Sequence, residues 1–237
     1  MEVPKRNAAR AALDELPALS GSVIGLGTGS TARLFVEELA RYLKQPGKEH
    51  ALVCVPTSDA TRHLAASLGI PLLDDEGPWD IDVNVDGADE VSDSLDMIKG
   101  GGGAHAREKI VNFAARKNVV IVEASKLSVR LGDKRAVPIE VLPFAHRTTR
   151  AKLARYGEPT LRQLDGNPAR TDAGNLLYDL RIQPADDPAS LDRALRSIPG
   201  VVETGLFVGR ADVVLVADAT GVRRMAKQPT RPPDVPA

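Results

Sequence analysis

The sequence predicts an α/β protein with a mostly parallel, Rossmann-like sheet and helices on both faces, plus a smaller inserted α+β (ferredoxin-like) domain. Short apolar runs alternate with helix-like segments between residues 23 and 123, which is typical of a parallel sheet. Aromatic residues make up only 3% of the chain and hydrophobic residues 43%, so the core is aliphatic, as buried strands and packed helices require. The alternation stops near residue 132, which indicates a second unit.

The first part of the chain consists of repeated strand, loop and helix. An apolar run at 23–26 ends in glycines and hydroxyl residues at 27–31, and a helix-like segment follows, which is the opening of an α/β unit. Gly69 ends the next helix. The elements expected in this part are helices at 4–16, 32–43, 59–68 and 104–116, and strands at 23–26, 51–55, 70–73, 81–85 and 118–123.

In the second part the regular alternation of strands and helices is lost, and Pro138 and Pro143 interrupt the pattern. We expect a main domain of residues 1–131 and 206–227 and a small domain of residues 132–205. The tail at 228–237 holds four prolines, which predicts disorder. The elements expected in this part are helices at 146–156 and 188–197, strands at 159–164, 175–182 and 200–204, and strands at 207–208 and 212–216 that return to the main sheet.

Composition excludes several classes of protein. The net charge is −1, from 31 basic and 32 acidic residues, so no global positive field is available to hold nucleic acid or a membrane surface. Cys54 is the only cysteine, so the chain has no intrachain disulfide and no need of an oxidising compartment. Residues 1–20 have no apolar signal segment and no run is long enough to span a membrane. We therefore expect a cytoplasmic protein.

Four polar clusters follow predicted strands or extended runs, at 27–31, 86–90, 99–108 and 124–126. In an open parallel sheet the ligand crevice lies beyond the carboxyl ends of the strands, so these clusters are expected to converge on one pocket. The first offers backbone N–H groups and hydroxyls at a helix N-terminus, which suits a phosphate. A tight turn with a serine or threonine N-cap is the structural alternative. Its spacing matches neither a dinucleotide nor a nucleoside triphosphate loop.

The acidic cluster holds Asp86, Asp89 and Glu90. It is either a polar turn that caps a helix or a set of carboxylates for proton transfer. The ligand spacing of a calcium loop is missing, and no group in the chain calls for a metal or another cofactor.

Lys99 precedes four consecutive glycines, 100–103, whose entropic cost on folding indicates close approach to a ligand or positive φ. A flexible linker is the alternative. Glu108 is then either a base or a dipole-favoured surface residue of the following helix, and His105 either a ligand, a base or a structural histidine. Lys126 is either a ligand for an anion or a surface lysine. Lys99 with adjacent N–H groups could stabilise a negative charge that develops beside a carboxylate base.

Seven strings in order make the chain resemble the ribose-5-phosphate isomerase A family over about residues 5–225. Each string is weak alone, but the ordered set is specific. The strings are GLGTGST (25–31), TSDAT (57–61), DGADE (86–90), MIKGGGGA (97–104), REKI (107–110), EASKL (123–127) and IPGVVETGLF (198–207).

The resemblance implies interconversion of D-ribose 5-phosphate and D-ribulose 5-phosphate in the non-oxidative pentose phosphate pathway, without metal or cofactor, by a homodimer or homotetramer. It implies that Glu108 is the base that moves the proton between C1 and C2. Asp86, Asp89 and Lys99 would assist ring opening and stabilise the enediolate. The substrate-binding positions implied are Thr28, Gly29, Ser30, Thr31, Asp86, Gly87, Ala88, Asp89, Lys99, Gly100, Gly101, Gly102 and Lys126.

The chain departs from the family at His105 and Ala106, where Leu-Thr or similar residues are frequent, so the packing of that helix is an open point. Lys5 aligns with a family lysine that contacts substrate. Two other functions compete with the isomerase. A sugar-phosphate sensor domain would need no base at Glu108, and a nucleotide-dependent oxidoreductase would need another glycine spacing.

Overall fold

The structure is a computed structural model that describes residues 2–17, 21–45 and 52–226. Short 3-10 helices lie at Ala12–Glu15 and Ala124–Lys126. The other elements, in chain order, are α1 (Glu2–Ala11), β1 (Val23–Leu26), α2 (Ser30–Leu43), β2 (Val53–Pro56), α3 (Asp59–Ser67), β3 (Ile81–Asp86), β4 (Glu90–Val91), β5 (Met97–Ile98), α4 (His105–Ala114), β6 (Ala115–Glu123), β7 (Val137–Val141), α5 (His146–Leu153), β8 (Glu158–Leu161), β9 (Gln163–Leu164), β10 (Asn167–Pro168), β11 (Leu176–Arg181), α6 (Pro188–Arg196), β12 (Val201–Thr204), β13 (Leu206–Phe207), β14 (Val213–Ala217) and β15 (Val222–Ala226).

The central sheet has six strands in the order β15-β14-β6-β3-β1-β2. All its neighbours are parallel except β14 and β15, which form an antiparallel pair at one edge. The mostly parallel α/β sheet predicted from the sequence is therefore confirmed. The chain runs from β1 to β2 on one side and later returns to β3 on the other, so the sheet has a switch point between β1 and β3.

Alternating residues of the buried strands supply two cores. Val119 and Ile121 of β6 face the core formed with α1, α2 and α3, whereas Val120 and Val122 face the opposite side. On that opposite side α4 packs near β3, and its Asn112 carbonyl accepts a hydrogen bond from Asn118 of β6 at 3.0 Å. Helices thus lie on both faces of the sheet, as predicted.

A three-stranded antiparallel sheet, β13-β5-β4, covers the rest of the second face. The sequence placed residues 207–208 in the main sheet, and this expectation was wrong, because β13 pairs with β5 through Leu206 and Ile98. Met97 and Phe207 bury their side chains against the central sheet. Each of the three strands has only two residues, which is too short to show a periodicity in the sequence.

The small unit is a four-stranded antiparallel sheet in the order β12-β7-β11-β8, with α5 after β7 and α6 after β11. This β-α-β-β-α-β arrangement is ferredoxin-like, as predicted. Pro138 does not end a pattern, as the sequence analysis expected, but lies inside β7. Its carbonyl still accepts a hydrogen bond from the Gly205 N–H at 2.7 Å, and the next residue, Ile139, pairs with β12, so the strand continues past the missing proline N–H.

The strands of the four-stranded sheet fall within the predicted range of 132–205, and the domain boundaries themselves stay a prediction. The predicted tail at 228–237 lies outside the described residues. Within the described ranges, no helix is both long and apolar enough to cross a membrane.

Candidate active site

The predicted clusters meet at one edge of the central sheet. The stretches 27–31, 86–90 and 124–126 directly follow β1, β3 and β6, and parallel neighbours end at the same edge. The glycine stretch 100–103 reaches this edge by another route. The strand that precedes it, β5, belongs to the three-stranded sheet and not to the central one. Antiparallel pairing of β5 with β4 brings Lys99 back beside the loop after β3.

A cavity of about 100 Å³ lies at this edge. It contains every residue that the sequence analysis named as substrate-binding or catalytic except Asp86, which is buried beneath it. Lys5, from α1, completes the wall. The lining residues are Lys5, Thr28, Gly29, Ser30, Thr31, Gly87, Ala88, Asp89, Lys99, Gly100, Gly101, Gly102, Glu108 and Lys126.

A buried charge cluster forms the floor of the cavity. The Lys99 Nζ atom lies 2.9 Å from Asp86 Oδ2 and 3.2 Å from Glu108 Oε2, and it donates to the Gly87 carbonyl at 2.5 Å. All three residues are only 3% exposed. One cation therefore faces two carboxylates, and the cluster has an excess negative charge when every group is ionised.

Burial and the excess negative charge raise the proton affinity of Glu108. Burial raises the pKa of Glu108 to about 8, with repulsion from Asp86 adding to it, although Lys99 opposes the rise. Burial is also the largest influence on the Lys99 pKa and acts to lower it, but the two carboxylates outweigh burial and raise the pKa. Burial raises the pKa of Asp86 against the pull of Lys99 and two backbone N–H groups. Asp86 accepts two backbone N–H groups in addition to facing the lysine, which favours its ionised form relative to that of Glu108.

Asp86 is held by the loop after β1. Its Oδ1 accepts hydrogen bonds from the Thr28 N–H at 3.0 Å and the Gly87 N–H at 2.7 Å. A Cβ atom on Gly27 would lie 2.0 Å from that same oxygen, so only glycine allows the carboxylate to reach this position. Gly27 thus has a role that the sequence analysis did not assign to it.

The two other acids of the cluster differ in their roles. Asp89 reaches the cavity and accepts the Gly101 N–H at 2.6 Å on Oδ2. Glu90 is fully buried on the other side, where its carboxylate accepts backbone N–H groups from Gly132, Lys134 and Arg135 at 3.0–3.1 Å. One acid of this stretch therefore faces the cavity, and the other anchors the backbone at 132–135 instead of capping a helix.

The first loop and its neighbours form a hydroxyl-rich wall. Gly29 has φ of +112° and precedes α2, whose N-terminus opens on the cavity. The Thr28 hydroxyl lies 2.7 Å from that of Thr57 and 2.8 Å from that of Ser58. Thr57 and Ser58 are buried and do not line the cavity, so they position Thr28. The string TSDAT (57–61) contributed to the family resemblance, but the sequence predicted no role for these two residues.

Two lysines border this wall. Lys5 donates to the Ser30 hydroxyl at 2.9 Å and lies 3.7 Å from Glu123. Lys126 is half-buried and, within the described part of the chain, has no carboxylate within ion-pair distance. An incoming anion would be the first partner for its charge.

His105 is a buried structural residue outside the cavity. It is fully buried, its Nε2 lies 3.3 Å from the Glu203 carbonyl oxygen, and its burial lowers its pKa to about 4. A Cβ atom on Gly100 would lie 2.8 Å from its Nδ1, so the neutral ring packs directly beneath the glycine loop. Among the described residues, no group of three or more histidine, cysteine, aspartate or glutamate side chains is placed to hold a metal ion.

Comparison with known proteins agrees with this site. The family model described as "Ribose 5-phosphate isomerase A (phosphoriboisomerase A)" matches residues 53–221, more than half of the chain. The ribose-5-phosphate isomerase A of Thermosynechococcus vestitus is 47% identical over 218 residues, which cover 90% of this chain and 91% of that protein.

Solved structures are similar over nearly the whole chain. Ribose 5-phosphate isomerase A from Methanocaldococcus jannaschii superposes with a TM-score of 0.89 at 40% identity, covering 95% of this chain and 99% of that one. A D-ribose-5-phosphate isomerase in complex with phospho-erythronic acid superposes with a TM-score of 0.89 at 38% identity and the same coverage. This chain belongs to the ribose-5-phosphate isomerase A family.

Proposed function

We propose that this chain interconverts D-ribose 5-phosphate and D-ribulose 5-phosphate by proton transfer, with Glu108 as the base. The observation that carries this assignment is the buried cluster of Glu108, Lys99 and Asp86 at the floor of the cavity. A carboxylate whose pKa is raised to about 8 can both take and return a proton near neutral pH.

The reaction needs only groups that line or underlie the cavity. Glu108 removes the proton from C2 of the open-chain aldose, and the C–H electrons form the C1=C2 bond of an enediolate while the carbonyl oxygen takes the negative charge. The hydroxyl proton at O2 moves to O1, and Glu108 returns its proton to C1. One C–H and one O–H bond break and one of each forms, so no electron acceptor is required.

Lys99 is the electrostatic partner of this step. Its ammonium group is buried and stays charged, because the two carboxylates raise its pKa. A preorganised cation beside a developing oxyanion typically lowers the barrier by several kcal/mol. Asp86 holds Lys99 at 2.9 Å, and Asp89 supports the adjacent glycine loop. We assign ring opening and enediolate stabilisation to these three residues.

The phosphate fits the other end of the cavity. The N-terminus of α2 offers N–H groups and the hydroxyls of Ser30 and Thr31, and Lys126 adds a charge that no carboxylate of the described residues neutralises. A dianion is stabilised by both features. Lys5 lies against Ser30 and is a further contact for it. A relative's complex with phospho-erythronic acid supports an acyclic sugar phosphate as the ligand.

Turnover of ribose 5-phosphate by Glu108→Gln tests the assignment. The variant keeps the shape of the side chain and removes its basicity, so we expect turnover to fall by about 100- to 10,000-fold. Glu38→Gln is the matched control, because Glu38 is also a buried, cation-paired carboxylate but lies on α2 away from the cavity. Near-normal turnover by Glu108→Gln would exclude Glu108 as the base.

Incorporation of solvent deuterium distinguishes proton transfer from a hydride shift. In deuterium oxide, with a chelator present, a carboxylate base should place deuterium on the reacting carbon. Activity that is lost on chelation and restored by a divalent ion, with no deuterium in the product, would contradict the proton route.

The sensor alternative receives no support from the relatives, which carry the isomerase name. We also propose a homodimer or homotetramer acting in the cytoplasm, on the strength of the family resemblance. Light scattering and cell fractionation of the intact protein test these two points.

A further inference from the structure

One arginine of the small unit reaches the back of the glycine loop. Arg162 lies between β8 and β9, and its Nη1 donates to the carbonyl oxygens of Gly100 and Gly101, at 3.1 Å each. Arg162 does not line the cavity. It therefore contacts the loop from the side opposite to the substrate.

Asp179 of β11 fixes the direction of this guanidinium. Its carboxylate accepts two hydrogen bonds from Arg162, one from Nε at 2.9 Å and one from Nη2. Both main-chain groups of Arg162 are also bonded, since its N–H donates to the Leu177 carbonyl and its carbonyl accepts the Ala169 N–H. A bidentate, backbone-anchored arginine presents its remaining N–H groups in a fixed geometry.

Because the peptide bond is planar, the contact of Arg162 with the carbonyl oxygens also determines where the N–H groups of the loop point. In a trans peptide the carbonyl oxygen and the amide hydrogen point in opposite directions. The peptide that joins Gly100 and Gly101 shows the result, because its oxygen faces Arg162 and its N–H donates to Asp89 at 2.6 Å. The next peptide has its oxygen on Arg162 too. Its N–H, that of Gly102, therefore points towards the cavity that Gly102 lines.

That N–H is available for a ligand. Within the described residues, the Gly102 N–H has no hydrogen-bond partner, whereas the neighbouring Gly103 N–H closes a turn onto the Gly100 carbonyl at 3.0 Å. A cation on the carbonyl side also polarises the peptide and makes its N–H a stronger donor. The donor lies on the same loop as Lys99, next to the charge that develops on the substrate.

We propose that Arg162, held by Asp179, is a positioning residue that orients the Gly102 N–H towards the enediolate oxygen. The inference rests on the proposed function. The small unit would then take part in the reaction, because its Arg162 side chain orients the Gly102 N–H of the main unit. The small unit also closes the loop at Gly103, where a Cβ atom would lie 2.9 Å from the Leu177 side chain.

The test compares Arg162→Ala with Arg181→Ala, a matched arginine of β11 that contacts the Asp133 carbonyl and not the loop. We expect Arg162→Ala to lower kcat about 10- to 100-fold with a much smaller change in KM, and free guanidinium at non-denaturing concentration to restore part of it. Asp179→Asn, which keeps the side-chain shape, should lower kcat in the same direction by less. Arg181→Ala should leave both constants unchanged.

Amide hydrogen exchange of residues 99–103 provides a readout that does not need turnover. Faster exchange of this segment in Arg162→Ala, but not in Arg181→Ala, supports the positioning role. If wild type is active and Arg162→Ala keeps its kcat, the positioning role is wrong while the isomerase assignment stands. If wild type is inactive, the isomerase assignment fails, and unchanged exchange in Arg162→Ala would overturn the loop contact as well.

Discussion

The buried cluster of Glu108, Asp86 and Lys99 should make the stability of this protein fall as the pH rises. Glu108 has an ordinary pKa of 4.5 and a folded-state pKa of about 8. A carboxyl group whose pKa is raised on folding contributes its full stability below the unfolded value and loses it as the pH rises through the folded value. Glutamine at position 108 does not titrate, so Glu108→Gln removes this loss.

The size of the effect follows from the two pKa values. A tenfold difference in proton affinity is worth about 1.4 kcal/mol. Linkage between 4.5 and about 8 then predicts that wild type, relative to its fully protonated form, loses less than about 1 kcal/mol at pH 5, about 3 kcal/mol at pH 7 and about 5 kcal/mol at pH 9. The variant should be nearly as stable as wild type at pH 5 and clearly more stable at pH 9.

Urea unfolding of both proteins across this pH range measures the difference, because titrations that they share cancel. Glu38→Gln serves as the control with the opposite sign. Burial alone would raise the pKa of Glu38, but hydrogen bonds from Arg6 and Arg41 outweigh it and lower the pKa. The stability that Glu38 contributes is therefore present above its unfolded pKa and lost in acid, so Glu38→Gln should be less stable than wild type at neutral pH.

A difference between wild type and Glu108→Gln that does not grow with pH would refute the reasoning. So would a variant that is less stable than wild type at pH 9. Either result would mean that Glu108 is ionised without cost in the folded protein, and that the proton of the cluster is held elsewhere.

Three further predictions concern activity. In wild type, kcat/KM should rise with pH towards about 8, as Glu108 loses its proton; a profile that is flat between about pH 6 and pH 8 would contradict this. Gly27→Ala should lower turnover by more than about 100-fold while circular dichroism stays native, because the added Cβ displaces Asp86. Lys126→Ala should raise the KM for ribose 5-phosphate about 10- to 100-fold and leave the weak binding of free ribose unchanged; equal loss for both would separate Lys126 from the phosphate.

The mostly parallel character of the central sheet and the position of the site could be predicted because they depend on local patterns. Each parallel strand is an aliphatic run followed by a polar loop, and parallel strands end at one edge. The loops at 27–31 and 86–90 therefore had to meet wherever β1 and β3 became neighbours. The short strands β4, β5 and β13 could not be predicted, because two residues carry no periodicity.

The different positions of the two adjacent acids in the loop after β3 could not be predicted from the sequence. Asp89 and Glu90 are adjacent, yet one faces the cavity and the other anchors the backbone at 132–135. Their partners are supplied by distant segments, and nothing local distinguishes the two acids. The same holds for Arg162, whose acceptors lie about 60 residues away in sequence.

The helix that carries Glu108 shows why the two units depend on each other. Three residues around the base, His105, Arg107 and Lys109, all contact the small unit. His105 lies against the Glu203 carbonyl, Arg107 forms an ion pair with Asp172 at 3.4 Å, and Lys109 binds the Glu203 carboxylate at 2.8 Å. The main unit thus holds the C-terminal part of α4 through the Asn112 carbonyl and Asn118, and the small unit contacts its N-terminal part.

Because these contacts flank Glu108 in sequence, both units fix the part of α4 that carries it. A base displaced by about 1 Å loses much of its effect, so a substitution that weakens the Lys109–Glu203 pair should affect catalysis without touching the cavity. The histidine at position 105, where the chain departs from the family, also has a physical explanation. A neutral, buried imidazole fills the junction between the glycine loop and β12, and its pKa of about 4 keeps it uncharged across the pH range in which Glu108 gains and loses its proton.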